Sequence, residues 1–199
     1  MNSKKYIQQM YRKRKTCYRL LLGSQQLRNY PVLNLSWIIL GAGVVLLKKA
    51  EKVFVESINV FPIYEKVFYV SMWLLLLLIP AICGLGMIYF IGYCSAVRDE
   101  ADMSVIFGDK RDMIKNQTPI LIYKKKDGKT GVTVREFYTT IPMECWQNKK
   151  AAICDKLNIH LIGDICYGGK KKNTGYKIHL ESATGRKPID RGVLYDDTF

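Results

Sequence analysis

The sequence predicts an α+β protein: a two-helix transmembrane hairpin followed by a small cytosolic ββ-α-ββ domain. Three observations carry this. Residues 67–94 hold 28 consecutive positions without a charge, and about 20 apolar residues suffice to cross the hydrocarbon core of a bilayer. A second apolar stretch, Val32–Leu47, lies before it. Beyond residue 118, short alternating runs flank one stretch of helical period, the pattern of strands around a helix. The divisions that follow are a basic cytoplasmic leader at 1–31, the hairpin at 32–94, a helical linker at 95–117, and the α+β domain at 118–199.

The leader carries Lys4, Lys5, Arg12, Lys13, Arg14, Lys15, Arg19 and Arg28 and no acid, within a chain of net charge +14. Basic residues beside a span stay cytoplasmic, so both termini are expected in the cytoplasm of a multi-pass cell-membrane protein. The intervening loop, 48–66, then faces outward, and its near balance of four basic and three acidic residues agrees. The leader is too long, and no small-residue cleavage pattern follows the apolar run, for a removable signal peptide.

Val32–Leu47 has 16 residues, about 24 Å of helix at 1.5 Å per residue. Tyr30 and Trp37 suit an interface, and Lys48 and Lys49 can snorkel. A re-entrant interfacial segment is the alternative, and it would put the N-terminus and the soluble domain on opposite sides. The second span contains Pro80, which predicts a kink. Gly84 and Gly86 predict close helix packing, with Gly41 and Gly43 as their counterparts. Val97, Ala101, Val105 and Ile106 then extend a helix that breaks near Gly108.

In the last segment, Pro119–Tyr123 reads as a short strand. Lys124–Lys126 with Lys129 falls in a hairpin turn signalled by Asp127-Gly128. Gly131–Tyr138 alternates, with Val132, Val134, Glu136 and Tyr138 on one side and Thr133, Arg135 and Phe137 on the other. Met143–Asn158 reads as one helix whose Trp146, Ile153 and Leu157 share a face. Ile159–Tyr167 reads as a strand, 168–175 as a loop holding Lys170, Lys171 and Lys172, and Tyr176–Ser182 as the closing strand.

Chemistry-bearing motifs are sparse. Gly163-Asp-Ile-Cys-Tyr-Gly168 is followed by Gly169 rather than Lys, Gly169-Lys170 has Asp164 in the first glycine position, and Thr184-Gly-Arg-Lys187 is equally incomplete. None meets the G-x-x-x-x-G-K-[ST] requirement of a phosphate loop. Cys145 and Cys154 fall on opposite sides of a helix, and His160 and His179 have no ligand at close spacing, so no metal site or cofactor is expected. Six scattered cysteines in a cytosolic setting predict free thiols. Cys166 with His179 stays open as a nucleophile pair, although free Cys is more often a buried apolar group. The positive candidates are Lys124, Lys125, Lys126, Lys129, Lys170, Lys171 and Lys172. Two such clusters in similar turns would lie at one end of the sheet. They suit contact with a polyanion, the DNA backbone or lipid headgroups, against the plainer reading of solvated loop tips.

After the two spans come DMSVIFGDKRDMIKNQTPILIYKKKDG, then VREFYTTIPMECWQNKKAAICDKLNIHLIGDI, and a close at RKPIDRGVLYDDTF. Together these resemble the membrane and pre-motor region of FtsK/SpoIIIE-type DNA translocases, particularly the coupling proteins of conjugative elements. The most telling parts are TPILI and IPMECWQNKKAAICDKLNIHLI, where that family places an apolar-Pro step, a Trp-containing helix ending in Leu-Asn, and a strand. The resemblance implies a membrane-anchoring and assembly module rather than an enzyme. It also implies a homo-oligomeric ring, DNA passing near the basic turns, and a motor domain downstream or in trans. The family's ATPase would start after such a region, and this sequence reaches Phe199 first. That leaves a truncated product, the N-terminal part of something longer, or a small relative without a motor, and no ATPase residue carries over. The alternative is a stand-alone membrane-anchored regulatory or ligand-sensing interaction protein.

Overall fold

A computed structural model describes residues 3–57, 63–108, 118–169 and 171–185. Lys170, Arg186, Lys187, Arg191 and residues 109–117 lie outside them. The chain divides into two units, Met1–Arg98 and Asp99–Phe199.

The first unit is helical. Helix α1, Ser3–Asn29, occupies the basic leader, for which the sequence reading gave no secondary structure. A single 3-10 turn, Pro31–Asn34, leads into α2, Leu35–Ser57. Pro31 has no backbone donor, which a first helical turn tolerates. Helix α2 outruns the expected 32–47 stretch because Lys48, Lys49, Glu51 and Lys52 are themselves good helix formers. Helix α3, Glu65–Ile106, extends beyond the apolar 67–94 run at both ends and stays continuous through Pro80.

Helix α1 meets α3 at Ile88, Gly92 and Tyr93. Helix α2 meets it at Gly84, which sits under Trp37, and shares a groove with Met72–Ile79. The first arm of the hairpin is therefore two helices laid in series along α3. Of the four expected packing glycines, Gly84 meets the neighbouring helix and the other three do not. Nothing lies within 4 Å of a Cβ added at Gly41, Gly43 or Gly86. A Cβ on Gly23 would strike the Ile88 carbonyl, and one on Gly92 the Arg19 carbonyl. The close crossing is thus Gly23 on Gly92, where backbone meets backbone.

In the second unit, β1 (Ile120–Lys126) pairs antiparallel with β2 (Thr133–Tyr138). Two short helices follow, α4 (Met143–Asn148) and α5 (Lys150–Leu157). Then come β3 (Ile159–Leu161), β4 (Cys166–Gly168) and β5 (Thr174–Thr184). The order is β1-β2-β5-β3, with β4 also on β5. Both β2 and β3 run antiparallel to β5, so β2, the two helices and β3 form a split β-α-β unit with the last strand inserted between.

The single predicted helix 143–158 is interrupted at Lys149, whose φ of −97° and ψ of 12° leave the helical region. The single predicted strand 159–167 is broken around Gly163-Asp164, and its halves pair with the far and near ends of β5. Asn158 ends α5 in the left-handed conformation, φ 50°, which asparagine tolerates better than most residues.

The core lies on one face of the sheet. Phe137, Ile178 and Leu180 on β2 and β5 are fully buried, as are Trp146 and Ile153 from the helices. The Trp146 ring lies 4.7 Å from Phe107 and 5.7 Å from Phe137 between centroids. Met103 and Phe107, at the end of α3, are also fully buried, so this unit's core begins upstream of the expected start at 118.

Candidate functional site

The lysine clusters are separated by the strand register. The β1–β2 turn lies beside Thr133, which pairs with Ser182 near the end of β5. The β4–β5 turn lies beside Thr174, at the start of β5. From Thr174 to Ser182 is about 26 Å at 3.3 Å per residue. The two clusters therefore sit at opposite ends of the sheet, not at one end.

Lys124, Lys125 and Lys126 lie on strand β1 rather than in the turn. Alternation sends Lys124 toward the core side, where its Nζ is 2.9 Å from Asp99 Oδ2. Arg135 Nε reaches the same oxygen at 2.9 Å, and Arg135 Nη1 donates to Ser182 Oγ at 2.8 Å. The Ser182 hydroxyl donates in turn to the Thr133 carbonyl, 3.2 Å away. Next to it, the Leu121 backbone N–H donates to Glu100 Oε1 at 3.0 Å. Lys149 Nζ donates to the Ile106 carbonyl at 2.8 Å, placing a cation at the negative end of α3. These groups hold the last turns of α3 on the sheet, and Lys124 belongs to that network rather than to an anion-binding tip.

Lys125, Lys126 and Lys129 are exposed, as are Lys171 and Lys172 at the other end. The first turn is organised by Asp127, not by an Asp-Gly pair with positive φ. Asp127 accepts from Thr130 Oγ1 at 2.7 Å and from the Lys129 N–H at 3.2 Å. The residue needing left-handed space is Gly131, φ 69°. The Thr130 and Lys129 hydrogen bonds hold the Asp127 carboxyl below its ordinary range. A fixed anion thus sits among the lysines of this tip and offsets part of their charge.

On the opposite face of the sheet, His179 is flanked by two carboxylates. Glu136 Oε1 is 3.2 Å from Nδ1, and Glu181 Oε1 is 2.9 Å from Nε2. The hydrogen bond from His179 lowers the Glu181 carboxyl below its ordinary range, against an opposing desolvation and with the charges of His179 and Lys172 adding to it. Cys166 is the register partner of His179, but its Sγ faces the His179 carbonyl at 4.0 Å. Both ring nitrogens are engaged by glutamates, so the Cys166–His179 pair is not assembled as nucleophile and base. His160 is held separately, its Nδ1 2.8 Å from the Gly185 carbonyl. Among the described residues, no group of three or more His, Cys, Asp and Glu is placed to hold a metal ion.

The first unit has a different surface. Two helical stretches, Pro31–Val55 and Glu65–Ile106, are long and apolar enough to cross a membrane. None of the most apolar window of the first, and 6% of that of the second, is buried. Between α2 and α3 an open groove of about 270 Å³ is lined by Leu47, Phe54, Met72, Leu75 and Ile79, with Glu51 at its wall.

No protein-family model matches the sequence, and no curated protein matches it. Among solved structures the chain is similar to the monomer form of the pCW3 conjugation coupling protein TcpA with ATPγS. The identity is 23% and the TM-score 0.37, over 45% of this chain and 25% of that one. The chain thus spans a quarter of that protein's chain, and a likeness of this size sets neither fold nor function by itself.

Proposed function

We propose that this chain is the membrane-anchoring and assembly module of an FtsK-like DNA translocase or conjugative coupling protein. The observation that carries the anchoring half is the outward placement of apolar side chains on α2 and α3. Ile38, Ile39, Val70, Trp73 and Phe90 are each more than 60% exposed. In water such a surface would associate, whereas in hydrocarbon it is solvated, and helices are one of the two backbone forms a bilayer accepts. The coupling-protein half rests on the sequence resemblance in TPILI and in the Trp146 helix segment.

In this reading both termini are cytoplasmic and copies of the chain assemble around DNA. Backbone contact falls to Lys125, Lys126 and Lys129 at one end of the sheet and to Lys171 and Lys172 at the other, with Lys170, which lies outside the described residues, assigned from the sequence alone. Lys124 is omitted because Asp99 holds it. Such contact is weak, indifferent to sequence and steeply salt-dependent.

The test is topology in intact cells. A cysteine placed at Glu56 or Asn59 should react with an impermeant probe, and one at Gly128 should react only after lysis. The reverse pattern, or a chain released from membranes by alkaline carbonate, would sink the anchoring half. Duplex DNA binding by the purified chain, lost between about 50 and 200 mM salt and absent when the exposed lysines are changed to Gln, is expected for the DNA half. No binding at low salt removes it.

A further inference from the structure

Helix α1 is the part of the molecule that the proposed function leaves unexplained. It carries eight basic residues and no acid over 27 positions. One face is committed: Arg19, Leu22, Gly23, Gln26 and Leu27 are buried, at the i, i+3, i+4, i+7, i+8 spacing of a packed stripe. The opposite face has another character. Met10, Arg14, Cys17, Leu21 and Arg28 recur at helical spacing and are exposed, with Tyr6 and Lys13 beside them. Tyr6, Met10 and Leu21 are 50%, 37% and 46% exposed. This outward stripe thus alternates apolar and cationic side chains along the helix.

We propose that the outward face of α1 is a binding site for anionic phospholipid headgroups at the membrane surface where the α3 span ends. Three observations select this occupant. Helix α1 packs on α3 at Gly92 and Tyr93, the last residues of the uncharged 67–94 run, so part of it lies where a span from that run would leave the hydrocarbon. Its charge is complementary to an acidic leaflet, to which polybasic segments beside a span are drawn. Gly23 meets Ile88 and Arg19 meets Gly92, so α1 runs antiparallel to α3: at 1.5 Å per residue Arg12–Lys15 fall about 6–10 Å beyond that exit, at headgroup depth, with Leu21 on the hydrocarbon side. A DNA backbone would not call for cations set at that depth beside an apolar residue. The site rests on the membrane reading of α2 and α3.

The test uses the full chain with Cys17 as its only cysteine, the other five changed to Ser, and a polarity-sensitive dye on Cys17. The chain is reconstituted into vesicles of phosphatidylcholine alone, or with about one third phosphatidylglycerol. The expected result in the anionic vesicles is a blue-shifted dye and quenching by neutral acrylamide lowered about twofold or more, with most of the gain lost at high salt. A variant combining Arg12→Gln, Lys13→Gln, Arg14→Gln and Lys15→Gln should show no difference between the lipids. Gln preserves helix propensity, and circular dichroism checks that it does. Equal signals in both lipids from a chain that floats with both overturn the site while leaving the membrane reading intact. So does a four-fold variant that keeps the difference, or a dye that responds to added duplex DNA and not to lipid. A chain that floats with neither vesicle overturns the membrane reading, and the site with it.

Discussion

The two units use the same apolar side chains in opposite directions. In Asp99–Phe199, Ile120, Leu121, Phe137, Trp146, Ile153, Ile178 and Leu180 are buried to 4% exposure or less. Among the described residues of Met1–Arg98 the buried apolar set is small, Leu22, Leu27 and Ala96, while large side chains from Val32 to Tyr93 face outward. The second unit satisfies its apolar surface with its own chain. The first keeps only a narrow seam of helix contact, held by small residues, and leaves the rest for its surroundings. The difference is already written in the pattern: the first unit carries 28 consecutive uncharged residues at 67–94, whereas the second breaks its apolar residues into short runs, such as 119–123, that leave a polar face to turn outward.

The sharpest way to break this comparison is to make one substitution in both units. Trp146→Ala removes a fully buried ring and should cost about 3–5 kcal/mol, read as a lowered denaturant midpoint of the detergent-solubilised chain. Trp73→Ala, where the ring is 63% exposed, should move that midpoint by less than about 0.5 kcal/mol. Equal effects would mean the two surfaces are not inverted.

Next in size is Asp99→Ala. It leaves Arg135 buried beside Ser182 without its carboxylate, a loss of about 3 kcal/mol that thermal unfolding should register. Replacing Asp99 and Arg135 together by apolar residues should recover much of that loss, since the penalty comes from an uncompensated buried charge. A double variant as unstable as the single one would show that the pair does more than neutralise itself.

A third effect belongs to the helical unit. Gly92→Ala drives a methyl into the Arg19 carbonyl, an overpacking of about 1–3 kcal/mol that should widen the distance between spin labels on α1 and α3. Gly41→Ala meets nothing within 4 Å and should leave it unchanged.

The smallest effect is electrostatic. The His179 hydrogen bond lowers the Glu181 carboxyl below the ordinary value of 4.5. A depressed carboxylate contributes stability that is present in full above the unfolded value and is lost as pH falls through the folded one. Urea midpoints of the wild-type chain should therefore drop more steeply below about pH 4.5 than those of Glu181→Gln. Parallel pH profiles would remove Glu181 from the account. Its side chain is 45% exposed, so the slope difference should be slight.

The contrast between the units also sets what was legible in the sequence. Uninterrupted hydrophobicity is a local signal, so the two apolar helices could be read directly, and so could the strands around a Trp-bearing helix. Lys124 was misread because three consecutive lysines signal a turn, while its partner, Asp99, lies 25 positions earlier on a helix. The break at Lys149 carries no Gly or Pro to announce it. Gly23 and Gly92 lie 69 positions apart, and no local pattern separates them from Gly41 and Gly86, which pack against nothing. Placing the two basic turns at one end failed for a similar reason: strand order, not turn composition, decides which ends coincide. In each case the missing information is a contact between distant positions.

The sheet's order has a consequence for how the chain is made. Strand β5, the last in sequence among the described residues, is central in space and bonds to β2, β3 and β4. During synthesis at about 5–20 residues per second, the β1–β2 hairpin and both short helices leave the ribosome before the strand that joins them. For those seconds β2 presents an open edge, and unpaired edges recruit other chains. The nascent protein is therefore most vulnerable to sticking just before Thr174 emerges. Synonymous changes that slow translation between the α5 and β5 codons should lower the yield of folded chain without altering a residue of it.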